Sequence, residues 1–195
     1  YENKSSIGII LGARGSGKSV LGMRLLENAA SKGRKTAAVG FNESSLPAWI
    51  KVVSPTDLNA VDNGSFLLVD EGGISFSSRN SMSEANKFLS SLLFISRHKD
   101  LSVLFISQNS ANLEVNTLRQ ADYLLLKKPS LLQQDFERKK INEIYDKARA
   151  GFQKHSDLGK NVFFVYSDAF SGFASNVLPS FWSEKASKAF AEKKL

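Results

Sequence analysis

A glycine-rich octapeptide that follows an apolar run constrains this chain more than any other feature. Residues 12–19 read GARGSGKS, which matches G-x-x-x-x-G-K-[ST] at every defined position. Residues 6–11 before it form an apolar run that predicts a short strand, and helical periodicity starts near Gly17 and continues to about Ser31. A strand, a glycine-rich turn and a helix in this order predict a loop that binds nucleotide phosphates.

The residue types of this octapeptide, called the phosphate loop below, suit that chemistry. Backbone N–H groups of such a loop point at the β-phosphate, and its glycines let the backbone come close. We expect Lys18 to reach the β- and γ-phosphates and the Ser19 hydroxyl to bind Mg²⁺. The predicted nucleotide-binding residues are Gly12, Ala13, Arg14, Gly15, Ser16, Gly17, Lys18, Ser19 and Val20.

A second apolar run ends in two carboxylates, because residues 66–71 read FLLVDE. The carboxyl ends of parallel strands share one edge of a sheet, so Asp70 is expected beside the phosphate loop, where it can hold the water shell of Mg²⁺. Glu71 is then placed to act as a base on the water that attacks the γ-phosphate. Such a pair also ends ordinary strands, but together with the phosphate loop it predicts ATP hydrolysis.

Two features of the sequence favour ATP hydrolysis over related chemistries. Many P-loop kinases and GTPases lack a Glu directly after the Asp, whereas hydrolytic motor ATPases usually have one. No N-K-x-D guanine-reading motif follows, which favours ATP over GTP. The phosphate loop of partitioning ATPases would have Lys where Arg14 stands, so that class is disfavoured.

Apolar strands alternate with helical patterns along the chain, which predicts an α/β fold with a parallel sheet covered on both faces. We expect one domain over residues 1–195, with a core of about 6–150 and an extension, 151–195, packed on it. The remaining strands are predicted at 36–41, 49–53, 101–106, 122–126 and 162–165. The remaining helices are predicted at 81–96, 113–120, 130–149 and 180–193.

Composition narrows the function classes only slightly. The 26 Lys and Arg exceed the 19 Asp and Glu, for a net charge of +7, which is compatible with a polyanion partner and equally with ordinary solubility. The absence of cysteine excludes disulfides and thiolate metal sites. No apolar run reaches the roughly 18 residues of a membrane span, and no signal-peptide pattern opens the chain, so we expect a cytoplasmic location.

The predicted strand 101–106 has polar residues at both ends. Gln108 after it would lie beside the Asp70 strand in a motor-type sheet and could sense the γ-phosphate or the attacking water; it could also simply bond to a loop backbone. Arg97 precedes the strand, which spans about 20 Å, so this side chain cannot easily reach its own nucleotide. It could act as an arginine finger on a neighbouring subunit or be a solvated helix-end cation, and Arg119 competes for the same role.

These residues together resemble a known family. The phosphate loop, FLLVDEGG at 66–73, SRHKDLSVLFISQN at 96–109 and LRQADYLLLKKPSLLQQDFERKKINEIYDKA at 118–148 are similar to the FtsK–HerA superfamily of DNA-pumping ATPases. The nearest likeness is to its viral genome-packaging and zonular-occludens-toxin-like branches. There an R-H pair precedes the fourth core strand, a Gln ends it, and R-x-x-A-D leads into the fifth. The resemblance covers about residues 6–150.

The resemblance implies a RecA-like P-loop ATPase that hydrolyses ATP with Mg²⁺ and translocates or packages double-stranded DNA. It assigns phosphate binding to Lys18 and Ser19, Mg²⁺ to Ser19 and Asp70, the base to Glu71 and sensing to Gln108. It also implies self-association into a ring, a hexamer by analogy with the family, and contacts with capsid or membrane proteins of a virus. The location would then be the host cytoplasm, at a virion or membrane assembly site.

Contact with DNA requires cations on a flexible loop facing a channel. The segment 72–80 follows the Asp-Glu pair directly, and Arg79 within it is the candidate for a DNA phosphate contact; the alternative is an ordinary surface loop. Two other functions stay open. One is an assembly or export ATPase for virions or pili that does not pump DNA, and the other is a phosphotransferase, disfavoured because no Arg-rich lid segment is present.

Overall fold

The computed structural model describes residues 5–74, 81–110, 113, 115–130 and 137–183. The strands in this part of the chain are β1 Ser6–Leu11, β2 Thr36–Val39, β3 Ile50–Val52, β4 Phe66–Asp70, β5 Ser102–Ser107, β6 Tyr123–Leu126, β7 Val162–Ser167 and β8 Ser171–Ser175. The α-helices are α1 Lys18–Ser31, α2 Ser81–His98, α3 Val115–Arg119 and α4 Lys139–Lys154.

The strands form one eight-stranded sheet in the order β3-β2-β4-β5-β1-β6-β7-β8. The six strands from β3 to β6 run parallel, whereas β7 pairs antiparallel with β6 and β8 antiparallel with β7. Asp70 of β4 pairs with Ile106 of β5, and Leu11 of β1 pairs with Ser107. The strands that precede the phosphate loop and the Asp-Glu pair therefore end at one edge, called the carboxyl edge below.

Helices cover both faces of the sheet, because successive residues of its central strands point to opposite sides. Ile10 faces α1 and packs in a cluster with Leu21 and Leu26. Its neighbour Ile9 faces the other way, in a cluster that includes Leu92 of α2 and Tyr145 of α4. A sheet buried on both faces accounts for the nearly continuous apolar runs of the sequence, and the predicted α/β class with a mainly parallel sheet is confirmed.

The sequence prediction differs from the structure mainly near the carboxyl terminus. β8 was not predicted, because SGFAS has neither an apolar run nor a clear alternation and its residues are only partly buried or exposed. Helix α4 begins at Lys139, later than the predicted 130, and residues 131–136 lie outside the described part of the chain. Residues 180–183 are not helical, and the rest of the helix predicted there also lies outside it. Among the described residues, no helix is long and apolar enough to cross a bilayer.

Gly22 lies where α1 packs most closely on the sheet. A Cβ placed on this residue would lie 2.8 Å from Leu68 Cδ1 and 3.1 Å from Ile106 Cδ1. We therefore expect Gly22→Val to lower the free energy of unfolding by about 1–3 kcal/mol, because the extra methyl groups must displace buried side chains. Urea denaturation measures this loss. Ser31→Val, at an exposed position of the same helix, is the control and should change it by less than about 0.5 kcal/mol.

Candidate active site

The phosphate loop connects β1 to α1 at the carboxyl edge. Gly15 and Gly17 have φ angles of 73° and 90°, in the left-handed region that glycine adopts without strain. The Ser16 N–H donates to the Ala13 carbonyl at 3.2 Å, which closes the turn between them. Arg14 is exposed at the tip of the loop. The predicted strand, loop and helix thus follow one another at the predicted positions.

Lys18 lies inside this loop rather than in solvent. It is only 7% exposed, and its Nζ donates to the Gly12 carbonyl at 2.7 Å and to the Ala13 carbonyl at 2.9 Å. Both carbonyls belong to the beginning of the same loop, so the ammonium is held across the space that the loop surrounds. A cation in this place can contact an anion that enters the loop.

Ser19 and Asp70 meet across the gap between α1 and β4. The Ser19 hydroxyl donates to Asp70 Oδ2 at 3.4 Å, and Asp70 Oδ1 accepts from the Gly72 N–H at 3.0 Å. A hydroxyl and a carboxylate are hard oxygen ligands, which fit Mg²⁺ held by few protein groups together with phosphate oxygens and water. Among the described residues no group of three or more His, Cys, Asp and Glu could form an all-protein metal cage. The donor set therefore fits Mg²⁺ delivered with a nucleotide.

Glu71 begins the short 3₁₀ turn Glu71–Gly73 directly after β4. The hydroxyl of Ser107, which is 2% exposed, donates to Glu71 Oε2 at 2.6 Å. Burial raises the pKa of Glu71 above its ordinary value, the hydrogen bond from Ser107 opposes this rise, and the charge of Asp70 adds to it. The arrangement therefore gives Glu71 a greater proton affinity than a solvated carboxylate has, together with a fixed orientation.

Ser107 is a site residue that the sequence analysis missed. It is the last residue of β5, and its predecessor Ile106 pairs with Asp70, so the β4–β5 register alone brings its hydroxyl to Glu71. An ordinary serine at a strand end carries no signal of this. Only an alignment of the two strands, with Asp70 opposite the end of β5, could have indicated it.

Gln108 directly follows Ser107 at the same edge and is partly buried. The expected neighbourhood of β4 and β5 is confirmed by their parallel ladder, which places Gln108 at the carboxyl edge. Its role as a sensor of the γ-phosphate stays a prediction.

The segment that contains Gln108 is anchored at its other end by a buried carboxylate. The Ser110 N–H donates to Glu137 at 3.2 and 3.1 Å, and the Ser110 hydroxyl also donates to Glu137 Oε2. Arg138 then donates to the Ser110 carbonyl at 3.1 Å and to the Leu113 carbonyl at 2.8 Å. The sequence analysis also missed this role of Glu137 and Arg138, which precede α4 and fix the loop after β5.

The two candidate arginine fingers lie away from the phosphate loop of their own chain. Arg97 is in the last turn of α2, is exposed, and its Nη2 donates to Gln120 Oε1 at 2.9 Å. Arg119 ends α3 just before β6, at the edge opposite the carboxyl edge, where it lines a cavity of about 420 Å³. Neither arginine is brought to Glu71. Arg79, the candidate DNA contact, lies outside the described residues.

Solved structures resemble this chain over nearly its whole length. The DNA-packaging ATPase B204 from Sulfolobus Turreted Icosahedral Virus matches 88% of this chain and 98% of its own, with a TM-score of 0.59 and 15% identity. The sulfate complex of the genome packaging NTPase B204 from Sulfolobus turreted icosahedral virus 2 matches 90% of this chain and 98% of its own. Its TM-score is 0.61 and its identity 16%. The chain has the fold of B204.

A third match is the same NTPase in complex with ATP-gammaS, which covers 90% of this chain and 100% of its own at a TM-score of 0.59 and 14% identity. No protein-family model matches the sequence, and no curated protein sequence matches it either. The B204 structures agree, at the level of the fold, with the resemblance to viral packaging ATPases inferred from the sequence.

Ser107→Ala should raise the pKa of Glu71 further, because it removes the hydrogen bond that stabilises the ionised carboxylate. The carboxyl ¹³C shift of Glu71, followed by NMR against pH, should show its midpoint displaced to higher pH. Ser107→Thr keeps a hydroxyl and is the matched control, with a midpoint near that of the original protein. An unchanged midpoint in Ser107→Ala would show that the hydroxyl does not act on the carboxylate.

Proposed function

We propose that this chain is an ATP-hydrolysing motor that translocates or packages double-stranded DNA, in a virus. The observation that carries the proposal is the meeting of Lys18, Asp70 and Glu71 at one edge of a B204-like sheet, with Ser19 3.4 Å from Asp70. B204 from Sulfolobus Turreted Icosahedral Virus is named as a DNA-packaging ATPase. The complex of B204 from Sulfolobus turreted icosahedral virus 2 with ATP-gammaS supports a nucleotide as the ligand of this fold. We also propose that 1–195 forms one ATPase domain, since β7 and β8 continue the sheet of the core.

In the proposed mechanism the phosphate loop binds the phosphates of ATP through its backbone N–H groups. Lys18 exchanges its bonds with the loop carbonyls for bonds with phosphate oxygens, which are stronger because both partners are charged. Ser19 and Asp70 would hold Mg²⁺, which supplies neutralisation of the phosphate charge when bound. The contacts that bind ATP thereby also orient its γ-phosphate at the carboxyl edge.

Glu71 then accepts a proton from the water that attacks the γ-phosphorus. Its raised pKa favours this transfer, and the hydrogen bond from Ser107 holds the carboxylate in one orientation. Gln108, the residue after Ser107, would bond to the γ-phosphate or the attacking water and so respond to hydrolysis. Because Arg97 and Arg119 lie away from this edge in their own chain, we propose that one of them completes the site of an adjacent copy in a ring, hexameric by resemblance.

The proposed DNA contact is Arg79, in the segment that follows the Asp-Glu pair. Because only seven residues separate Arg79 from Glu71 in the sequence, a movement of Glu71 on hydrolysis would reach the DNA contact directly. Other partners would be capsid or membrane proteins of the virus, at an assembly site in the host cytoplasm.

Two substitutions separate nucleotide binding from hydrolysis. Lys18→Ala should abolish tight ATP binding, because it removes the ammonium inside the loop. Glu71→Gln should leave ATP affinity nearly unchanged and lower kcat by roughly 100- to 10,000-fold, because an amide cannot accept the proton. Calorimetry and a phosphate-release assay measure the two effects. Lys32→Ala, at an exposed position just after α1, should affect neither; retained turnover in Glu71→Gln would remove Glu71 as the base.

The rate of ATP hydrolysis with and without double-stranded DNA, combined with a native mass measurement, tests the motor. We expect DNA to stimulate hydrolysis and the protein to form a closed ring. Heparin is the control, because a chain with a net charge of +7 binds polyanions without any specific channel. An ATPase indifferent to DNA would instead support an assembly or export ATPase. A stable monomer that phosphorylates a small acceptor would support a phosphotransferase.

A further inference from the structure

Lys127 is a buried cation beside the phosphate loop that the mechanism above does not use. It follows β6 at the carboxyl edge, and its N–H donates to the carbonyl of Leu11, the residue before the loop, at 2.8 Å. The residue is 1% exposed. A lysine at such a position is unusual, because the charged form is costly to remove from water.

The hydrogen-bond partners of this ammonium among the described residues are all uncharged. Lys127 Nζ donates to the Lys160 carbonyl at 2.8 Å, to the Val162 carbonyl at 3.4 Å and to Asn176 Oδ1 at 3.1 Å. None of the ion pairs within the described part of the chain includes it. Its donors are therefore satisfied while its charge has no nearby counter-charge among these residues.

Burial lowers the pKa of Lys127 to about 8. The side chain therefore still carries a proton for most of the time at neutral pH.

The side chain of Lys127 packs against the glycines of the phosphate loop. A Cβ placed on Gly12 would lie 2.6 Å from Lys127 Cβ, and a Cβ placed on Gly17 would lie 4.0 Å from Lys127 Nζ and 3.2 Å from the Lys160 carbonyl oxygen. Lys127 thus packs against Gly12, the first residue of the loop, and its ammonium lies near Gly17, toward the end of the loop. A side chain on either glycine would push Lys127 or Lys160 away from the loop. Gly12 and Gly17 therefore have a packing role in addition to their conformational one.

We propose that Lys127 acts on a bound nucleotide through the loop: its charge, which no ion pair among the described residues neutralises, stabilises the phosphates without touching them. The inference rests on the proposed ATP binding. A buried charge is poorly screened by salt and acts over several ångströms, so the stabilisation increases with the negative charge of the ligand. A lysine that served only to tie residues 160–176 to the loop would not distinguish ligands by charge.

Asn176→Asp tests the charge while leaving Lys127 in place. It converts the acceptor 3.1 Å from Lys127 Nζ into a carboxylate of the same shape, which neutralises the ammonium and keeps its hydrogen bond. It also removes the bond from Asn176 Nδ2 to the Val177 carbonyl at 3.3 Å, which Asn176→Ser removes as well. We expect affinity to fall by about tenfold for ATP, less for ADP and least for AMP, measured by calorimetry without Mg²⁺. Asn176→Ser, which adds no charge, is the matched control and should bind all three nucleotides within about twofold of the original protein.

Thermal unfolding without nucleotide shows that each variant is folded before its affinities are compared. Unchanged ATP affinity in folded Asn176→Asp overturns the inference, and so does an equal loss for ATP, ADP and AMP, which would indicate a distorted loop. If Asn176→Asp does not fold, the affinities of Lys127→Met for ATP, ADP and AMP are measured instead. The same graded loss is expected, largest for ATP and smallest for AMP. If the original protein does not bind ATP in the calorimeter, the proposed function and this inference are both overturned. If the original protein binds ATP and only the expected graded loss is missing, the inference alone is overturned.

Discussion

The parallel ladder of β1, β5 and β4 is the constraint on which the site depends. It places the end of β5 between the phosphate loop and the Asp-Glu pair, with Asp70 opposite Ile106 and Leu11 opposite Ser107. Since a shift by one residue would reverse the side of every side chain, this register determines whether Ser107 can reach Glu71. The chemistry at the carboxyl edge therefore follows from backbone pairing between strands far apart in sequence.

The sequence was informative where function requires a particular residue at a particular spacing. The phosphate loop and Asp70 were predicted because glycine conformation, the lysine and the strand–loop–helix order are local properties. Ser107, Glu137 and Lys127 were not identified as site residues, because each acquires its partner only through tertiary contact. β8 was missed for a related reason, since SGFAS pairs with β7 although its own pattern does not predict a strand.

Two hydrogen-bonded anchors hold residues 107–110 at the end of β5. At one end Ser107 is bonded to Glu71, and at the other Ser110 is bonded to the buried carboxylate of Glu137 just before α4. Gln108 lies between them. A displacement of Ser107 that is passed along this segment must therefore either break the bonds of Ser110 or move the beginning of α4, so Glu71 and that helix are linked through these hydrogen bonds.

The three uncharged acceptors of Lys127 limit how far the chain can be shortened from its carboxyl terminus without changing the surroundings of the phosphate loop. All three lie between residues 160 and 176, beyond residues 6–150, over which the sequence resembles the FtsK–HerA superfamily. A fragment that stopped near residue 150 would retain the complete phosphate loop, Asp70 and Glu71. It would lack the three acceptors of Lys127 and the strand β7 that pairs with β6. A fragment that keeps the phosphate loop in the surroundings seen here therefore has to extend at least to Asn176.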